Sequence, residues 1–318
     1  MPLDPELQVI VDLANAAEPA PRTEAQVDRF RAEFAGLTAV LGQGSDRVEA
    51  TDASVPGPAG EVPVRSYRPL DAPLGPLPTL VWFHGGGWVI GDLDTHDALC
   101  RDLAAGSGCG VLSVDYRLAP EHRFPAAHDD AEAVVAHLLC DGEELGVDPT
   151  LVAVGGDSAG GHLATVTARR LRDRGDDLPD LRAQALVYPV TDLAGSQGEH
   201  PSRQANAEGY LLTWATMEFF ADAYVPDHGD RTGPDASPLH VEQLAGLPPA
   251  LLVVASHDPL RDEGLAYASR LQAAGVPTAV EHLEGAVHLC AQMPGTAVGR
   301  RVVETVAGFV RERLSPAS

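Results

Sequence analysis

The sequence predicts an α/β protein: an eight-stranded, mostly parallel sheet flanked by helices, with a helical cap at its carboxyl edge. Three observations carry that prediction. Short β-rich segments, several of them unbroken apolar runs, recur after residue 47, and unbroken runs suit parallel strands buried on both faces. Segments of helical periodicity lie between them, and strands alternating with helices build a sheet through right-handed crossovers. One connection, 191–240, is far longer than a crossover helix needs, and long insertions of this kind commonly serve as lids.

The first 45 residues read as a separate helical segment. Leu7, Ile10, Val11 and Leu13 make one apolar stripe, and Val27, Phe30, Phe34, Leu37 and Leu41 make a second. Thr23 with Gln26 resembles a capping box opening the second helix. From 46 to 318 the chain reads as one domain. Strands are expected at 48–53, 62–67, 80–83, 111–114, 151–154, 185–188, 251–255 and 278–283, and helices at 93–105, 126–139, 158–172, 261–274 and 296–314. The insertion at about 191–240 is polar at first, then rich in aromatic and apolar residues around Trp214, Phe220 and Tyr224. With the amino-terminal helices it is expected to cover the carboxyl ends of the strands, where ligand sites lie in such sheets. The plainer alternative is an ordinary helix packed on the core.

Composition narrows the function. Among 318 residues, 46 are acidic and 22 basic, a formal charge of −24, and every basic residue is arginine. So acidic a surface repels phosphate backbones and anionic bilayers, which argues against nucleic-acid and membrane partners. Residues 1–10 hold neither a basic residue nor a long apolar run, so no leader or anchor is expected. No stretch approaches the roughly 18 apolar residues of a membrane span. Cys100, Cys109, Cys140 and Cys290 are widely spaced without a C-x-x-C pair, as for free thiols in the cytoplasm. No metal or cofactor is implied.

Gly156-Asp157-Ser158-Ala159-Gly160 fits the G-x-S-x-G nucleophile elbow of the α/β-hydrolase fold. The pattern alone is weak, but an apolar β-run leads into it and a helical run leaves it. The glycines let strand turn abruptly into helix and expose the Ser158 hydroxyl. His84-Gly85-Gly86-Gly87-Trp88 follows another expected strand, and its small residues suit an oxyanion hole. The expected donors are the N–H groups of Gly85, Gly86 and Ala159. A serine hydroxyl needs a base, and in this fold acid and base follow the serine in that chain order. Of His200, His228, His240, His257, His282 and His288, the last sits in a loop just past the final strand, at the carboxyl edge. Asp258 ends the preceding strand and is the expected acid; His257 is the second choice of base, and Asp262 the second choice of acid.

At this point the chain resembles the hormone-sensitive lipase family of esterases. The resemblance rests on His84–Trp88, on Asp115-Tyr116-Arg117-Leu118-Ala119-Pro120-Glu121, on the elbow and on Asp258-Pro259-Leu260-Arg261-Asp262-Glu263. It implies hydrolysis of small carboxylic esters, an amino-terminal cap, no cofactor and a homodimer through the sheet edge. Amide cleavage, another reaction on the same triad, or ligand binding without catalysis are the alternatives. The family usually follows its catalytic histidine with Gly-Phe, where this chain has Leu289-Cys290. Arg117, Glu121 and His84 are expected to brace loops. Trp88, Tyr188, Leu211, Trp214 and Leu289 are the expected pocket walls.

Overall fold

The computed structural model describes residues 2–16, 23–175 and 177–315. Eight strands form one sheet: β1 (Val48–Gly57), β2 (Gly60–Pro69), β3 (Leu77–Phe83), β4 (Gly110–Val114), β5 (Val147–Asp157), β6 (Gln184–Val187), β7 (Ala250–His257) and β8 (Thr278–Val287). Their order is β1-β2-β4-β3-β5-β6-β7-β8. The hairpin β1–β2 and the pair β2–β4 are antiparallel, and from β4 through β3 to β8 every pairing is parallel. All eight strands fall where the apolar runs predict them. β8 continues past a register irregularity to Val287, so His288 follows the strand end directly.

The central strands are buried on both faces because alternate side chains enter different layers. On β3, Leu80 and Trp82 join α3 (Asp97–Ser107) and α9 (Ala297–Leu314), with Leu7 and Val11 of α1 (Pro5–Asn15). Val81 and Phe83 join the opposite layer with α4 (Ala126–Asp141), α5 (Ala159–Arg174) and α8 (Arg261–Ala273). That second layer also receives Val27 and Phe34 of α2 (Val27–Leu41) and Met217, Phe219 and Phe220 of α7 (Trp214–Tyr224). The long insertion holds α7 and the short α6 (Pro201–Ala205).

The two amino-terminal helices are narrower in their apolar faces than the sequence suggests. Leu13 is 69% exposed and Leu37 39% exposed. Thr23 and Gln26 bond side chain to side chain at 2.9 Å ahead of a 3-10 turn, and α2 proper begins at Val27. Beyond its buried Val27 and Phe34, α2 is pinned by polar contacts. Arg31 donates to the carbonyls of Val89 (2.9 Å) and Ala119 (3.1 Å) and pairs in bidentate fashion with Glu121. Glu121 thus braces a loop as expected, but through α2. Arg117 is tied instead to Asp130 of α4. α1 is anchored where Asp4 N–H meets the Gly285 carbonyl (2.9 Å) and Glu6 accepts from Ala297 N–H (2.7 Å). Of the four cysteines, all free, only Cys140 is exposed.

Removing the Arg31 side chain strands two carbonyls and one carboxylate at the seam between α2 and the glycine loop. Arg31→Ala is expected to lower the melting temperature by about 2–6 °C. It should also expose the amino-terminal segment to limited proteolysis before the sheet domain is cut. A melting curve and cleavage pattern like those of the wild type would contradict this.

Candidate active site

The elbow forms because β5 and α5 have no room to part gradually. A Cβ on Gly160 would enter the Phe83 carbonyl, and one on Gly156 would enter the Gly160 backbone. Ser158 between them sits at φ 56°, ψ −118°, a conformation costing on the order of 1–3 kcal/mol for a residue with a side chain. Backbone bonds hold it there: Ser158 N–H donates to the Val187 carbonyl (2.9 Å), and its own carbonyl accepts from His162 N–H (3.1 Å).

Two neighbouring parallel strands, β7 and β8, end side by side and deliver the remaining groups. His288, just past β8, places Nε2 2.9 Å from Ser158 Oγ and Nδ1 2.7 Å from Asp258 Oδ2. Asp258, just past β7, is fully buried; its other oxygen accepts from Leu260 N–H at 2.8 Å. A carboxylate at Nδ1 keeps the proton on that nitrogen, which leaves Nε2 to accept from the serine hydroxyl. Ser158 is 5% exposed and His288 2% exposed, so little water reaches either. The arrangement can remove a proton from the serine and return it to a leaving group.

The other residues weighed from the sequence lie elsewhere. His200 and His240 both contact Asp192, His257 stacks near Tyr210, and His282 is exposed on β8. Asp262 accepts from Ser202 N–H (2.8 Å) and pairs with Arg261.

Gly85 is a correction. Its N–H donates to Asp157 Oδ1 at 3.2 Å and lies the same distance from His96 Nε2, so a buried carboxylate already takes the donor expected to face an oxyanion. Gly86 and Gly87, at φ 117° and 58°, follow it. Among the described residues their N–H groups meet no acceptor. Ala159 opens α5, where the first N–H groups lack intrahelical partners. The donors available at this corner are therefore those of Gly86, Gly87 and Ala159. His84 does brace the loop: its Nδ1 is 2.8 Å from the Gly85 carbonyl, beside Tyr116, whose hydroxyl donates to the His84 carbonyl at 2.7 Å.

Trp88 is a second correction. Its side chain is fully enclosed, stacked on Tyr224 with ring centroids 4.8 Å apart and edge-on to His162, so it fills core. Trp214 stacks on the Arg203 guanidinium and lines a cavity of about 390 Å³ with Asp192 and Met217 that Ser158 and His288 do not line. Tyr188 is buried with its ring 4.4 Å from that of His288. Leu211 packs, half-buried, against the layer of α1 and α9. Leu289 holds a left-handed backbone at φ 70° and packs against both layers of the core. Over the glycine loop, Phe220 of α7 blocks any side chain at Gly87 and stacks on Phe30 of α2 at 5.7 Å.

Sequence reasoning missed His96 and Gln292, which meet Asp157 in the floor of the site. Neither belongs to a motif, and both reach it only through the fold.

Comparison with known proteins agrees with this geometry. The family described as alpha/beta hydrolase fold matches residues 80–292. The carboxylic ester hydrolase LipN of Mycobacterium tuberculosis is 42% identical over 294 residues, covering 90% of this chain and 76% of its own. The ethyl acetate hydrolase of Pseudomonas putida is 39% identical over 295 residues, covering 91% and 92%. The solved esterase of Pyrobaculum calidifontis superposes with a TM-score of 0.90 at 40% identity, covering 98% of this chain and 99% of its own.

Three histidines packed around the elbow are held neutral. Burial, and then His96, push His84 down to about 4; burial pushes His162 down to about 4; burial, and then His162, drive His128 well below its ordinary value. An unfolded chain protonates each near 6.5. Between those values the unfolded state binds more protons, so stability is lost as pH falls, at roughly 1.4 kcal/mol per histidine per pH unit. Asp115, pushed up to about 6 by burial and by Asp92 and Asp94, works in the opposite sense with a single proton. Thermal melts between pH 7 and 5 should therefore show falling stability, and His162→Leu should flatten that slope by about a third to a half. A slope unchanged in the variant would contradict the account.

Proposed function

The chain belongs to the hormone-sensitive lipase family of carboxylic ester hydrolases, and on that premise we propose that it cleaves small esters through an acyl-enzyme on Ser158. The observation that carries the proposal is the line of contacts from Ser158 Oγ through His288 to Asp258, at 2.9 and 2.7 Å. His288 takes the hydroxyl proton as Ser158 Oγ bonds to the ester carbonyl carbon, and Asp258 stabilises the imidazolium. The carbonyl oxygen becomes an oxyanion on the N–H groups of Gly86, Gly87 and Ala159. As it collapses, the bond to the alcohol oxygen breaks and His288 returns the proton to that oxygen. Water, deprotonated by His288, then bonds to the acyl carbon; the bond to Ser158 Oγ breaks as His288 returns the proton to it, and the acid is freed.

Substrates are short- to medium-chain esters. The nearly closed nucleophile supports this, as does a relative named for ethyl acetate. The amino-terminal helices and the insertion at 191–240 act as the cap. Support comes from α2 and α7, which meet through Phe30 and Phe220 directly over the glycine loop.

Hydrolysis of p-nitrophenyl esters from acetyl to palmitoyl is expected to peak at short chains. Ser158→Ala should lose turnover by several orders of magnitude with its fold intact, and Asp258→Asn by roughly 10³–10⁴-fold. Substantial turnover by folded Ser158→Ala would remove Ser158 as nucleophile, and a peak at palmitoyl would overturn the chain-length proposal.

A further inference from the structure

The elbow residue before the nucleophile carries a carboxylate with no access to solvent. Asp157 is fully buried. It accepts from Gly85 N–H at 3.2 Å and from Gln292 Nε2 at 2.6 Å, and lies 3.3 Å from His96 Nε2. These partners come from three places: the loop after β3, the start of α3, and the turn that follows His288. The contacts continue. Tyr188 donates its hydroxyl to Gln292 Oε1 at 3.2 Å, accepts from Ala291 N–H at 3.2 Å, and rests its ring against that of His288. Burial alone would push the Asp157 carboxyl up, but His96, Gln292 and His84 outweigh it and hold the group below the usual carboxylate range. A charge this enclosed is costly, and packing alone would be served as well by an apolar side chain.

The glycine loop explains its use. Gly85 has its N–H turned toward Asp157, and a Cβ there would enter the carboxylate. Gly86 is pinned by its carbonyl, which accepts from Val89 and Ile90. Gly86 and Gly87 then run through consecutive positive φ angles, and successive amides in such a turn converge on one anion. Gln292 joins the same carboxylate from the segment that bears the base.

We propose that Asp157 and Gln292 are positioning residues for the ester chemistry. The Asp157 carboxylate holds the Gly85 amide back, so that the amides of Gly86 and Gly87 aim at the oxyanion. Gln292 locks that loop in register with His288. The proposal rests on Ser158 and His288 acting as nucleophile and base.

The test compares wild type, Asp157→Asn, Gln292→Leu and the double variant on p-nitrophenyl acetate. Active sites are counted from p-nitrophenol released on exhaustive reaction with diethyl p-nitrophenyl phosphate. Inhibition by an aryl trifluoromethyl ketone, whose serine adduct carries an oxyanion, is measured alongside. Asn cannot accept from every donor that Asp157 serves, yet it keeps the shape. Per active site, kcat should fall about 10- to 100-fold with KM changed less than about threefold, because the lost interaction belongs to the transition state. Ketone affinity should fall by the same factor. Gln292→Leu should show a smaller loss of the same kind and add little to Asp157→Asn, as for residues acting in one chain. A kcat and ketone affinity unchanged per active site, with only the melting temperature lowered, would reduce both residues to a structural role and overturn the proposal. Fully additive losses would overturn the link through Asp157. Should Asp157→Asn fail to fold, Gln292→Leu alone decides: kcat and ketone affinity must fall together, or the proposal is lost. Wild type that neither turns over the ester nor binds the ketone would remove the ester reading itself, an outcome distinct from a fully active Asp157→Asn.

Discussion

The first turn of α5 lies against the end of β3 with no space for a side chain between them, and most of the site follows from that closeness. Gly160 faces the Phe83 carbonyl and Gly156 faces Gly160. A strand entering so tight a corner cannot bend gradually into a helix, so one residue must take up the whole change of direction. Ser158 does so at a positive φ, and its hydroxyl leaves the sheet at the carboxyl edge. The same approach sets His84 and the glycines beside Ser158, because they continue the strand that α5 touches. Parallel pairing does the rest: β7 and β8 end in step, and the residues just beyond them arrive next to Ser158.

Around this corner the protein keeps two carboxylates dry and paired. Asp258 accepts from His288 and Leu260; Asp157 accepts from Gly85 and Gln292. Low local dielectric strengthens such bonds and makes each unpaired group costly. The neutral histidines next to the elbow are a second product of the same dryness. α2 and α7 supply the enclosure by two means: apolar stacking through Phe30 and Phe220, and the Arg31 guanidinium that binds the loop carbonyls.

Much of this was legible in the sequence for a definite reason. Buried parallel strands must be nearly continuous apolar runs, so each run located its strand, and motif spacing plus chain order then isolated Ser158, Asp258 and His288. Legibility ended where a role depends on partners remote in sequence. Gly85 lies in the right loop, but only the fold reveals that Asp157, 72 residues later, takes its N–H. Trp88 looks like a pocket aromatic until Tyr224 and His162 close over it. Gln292 belongs to no motif, and its partner His96 is 196 residues away. Leu13 and Leu37 fit helical stripes that are wider than the surfaces their helices cover.

The elbow and the glycine loop are complete in chain order by residue 160, whereas His288 and Gln292 stand at the far end of the last strand. Synthesis on the ribosome therefore produces the serine and its glycine loop long before the group that can activate it. A half-made chain holds the Ser158 hydroxyl without the imidazole that lies 2.9 Å from it in the finished fold. Completion of β8 is thus what brings the His288 imidazole to the Ser158 hydroxyl, the last of these contacts to form in chain order.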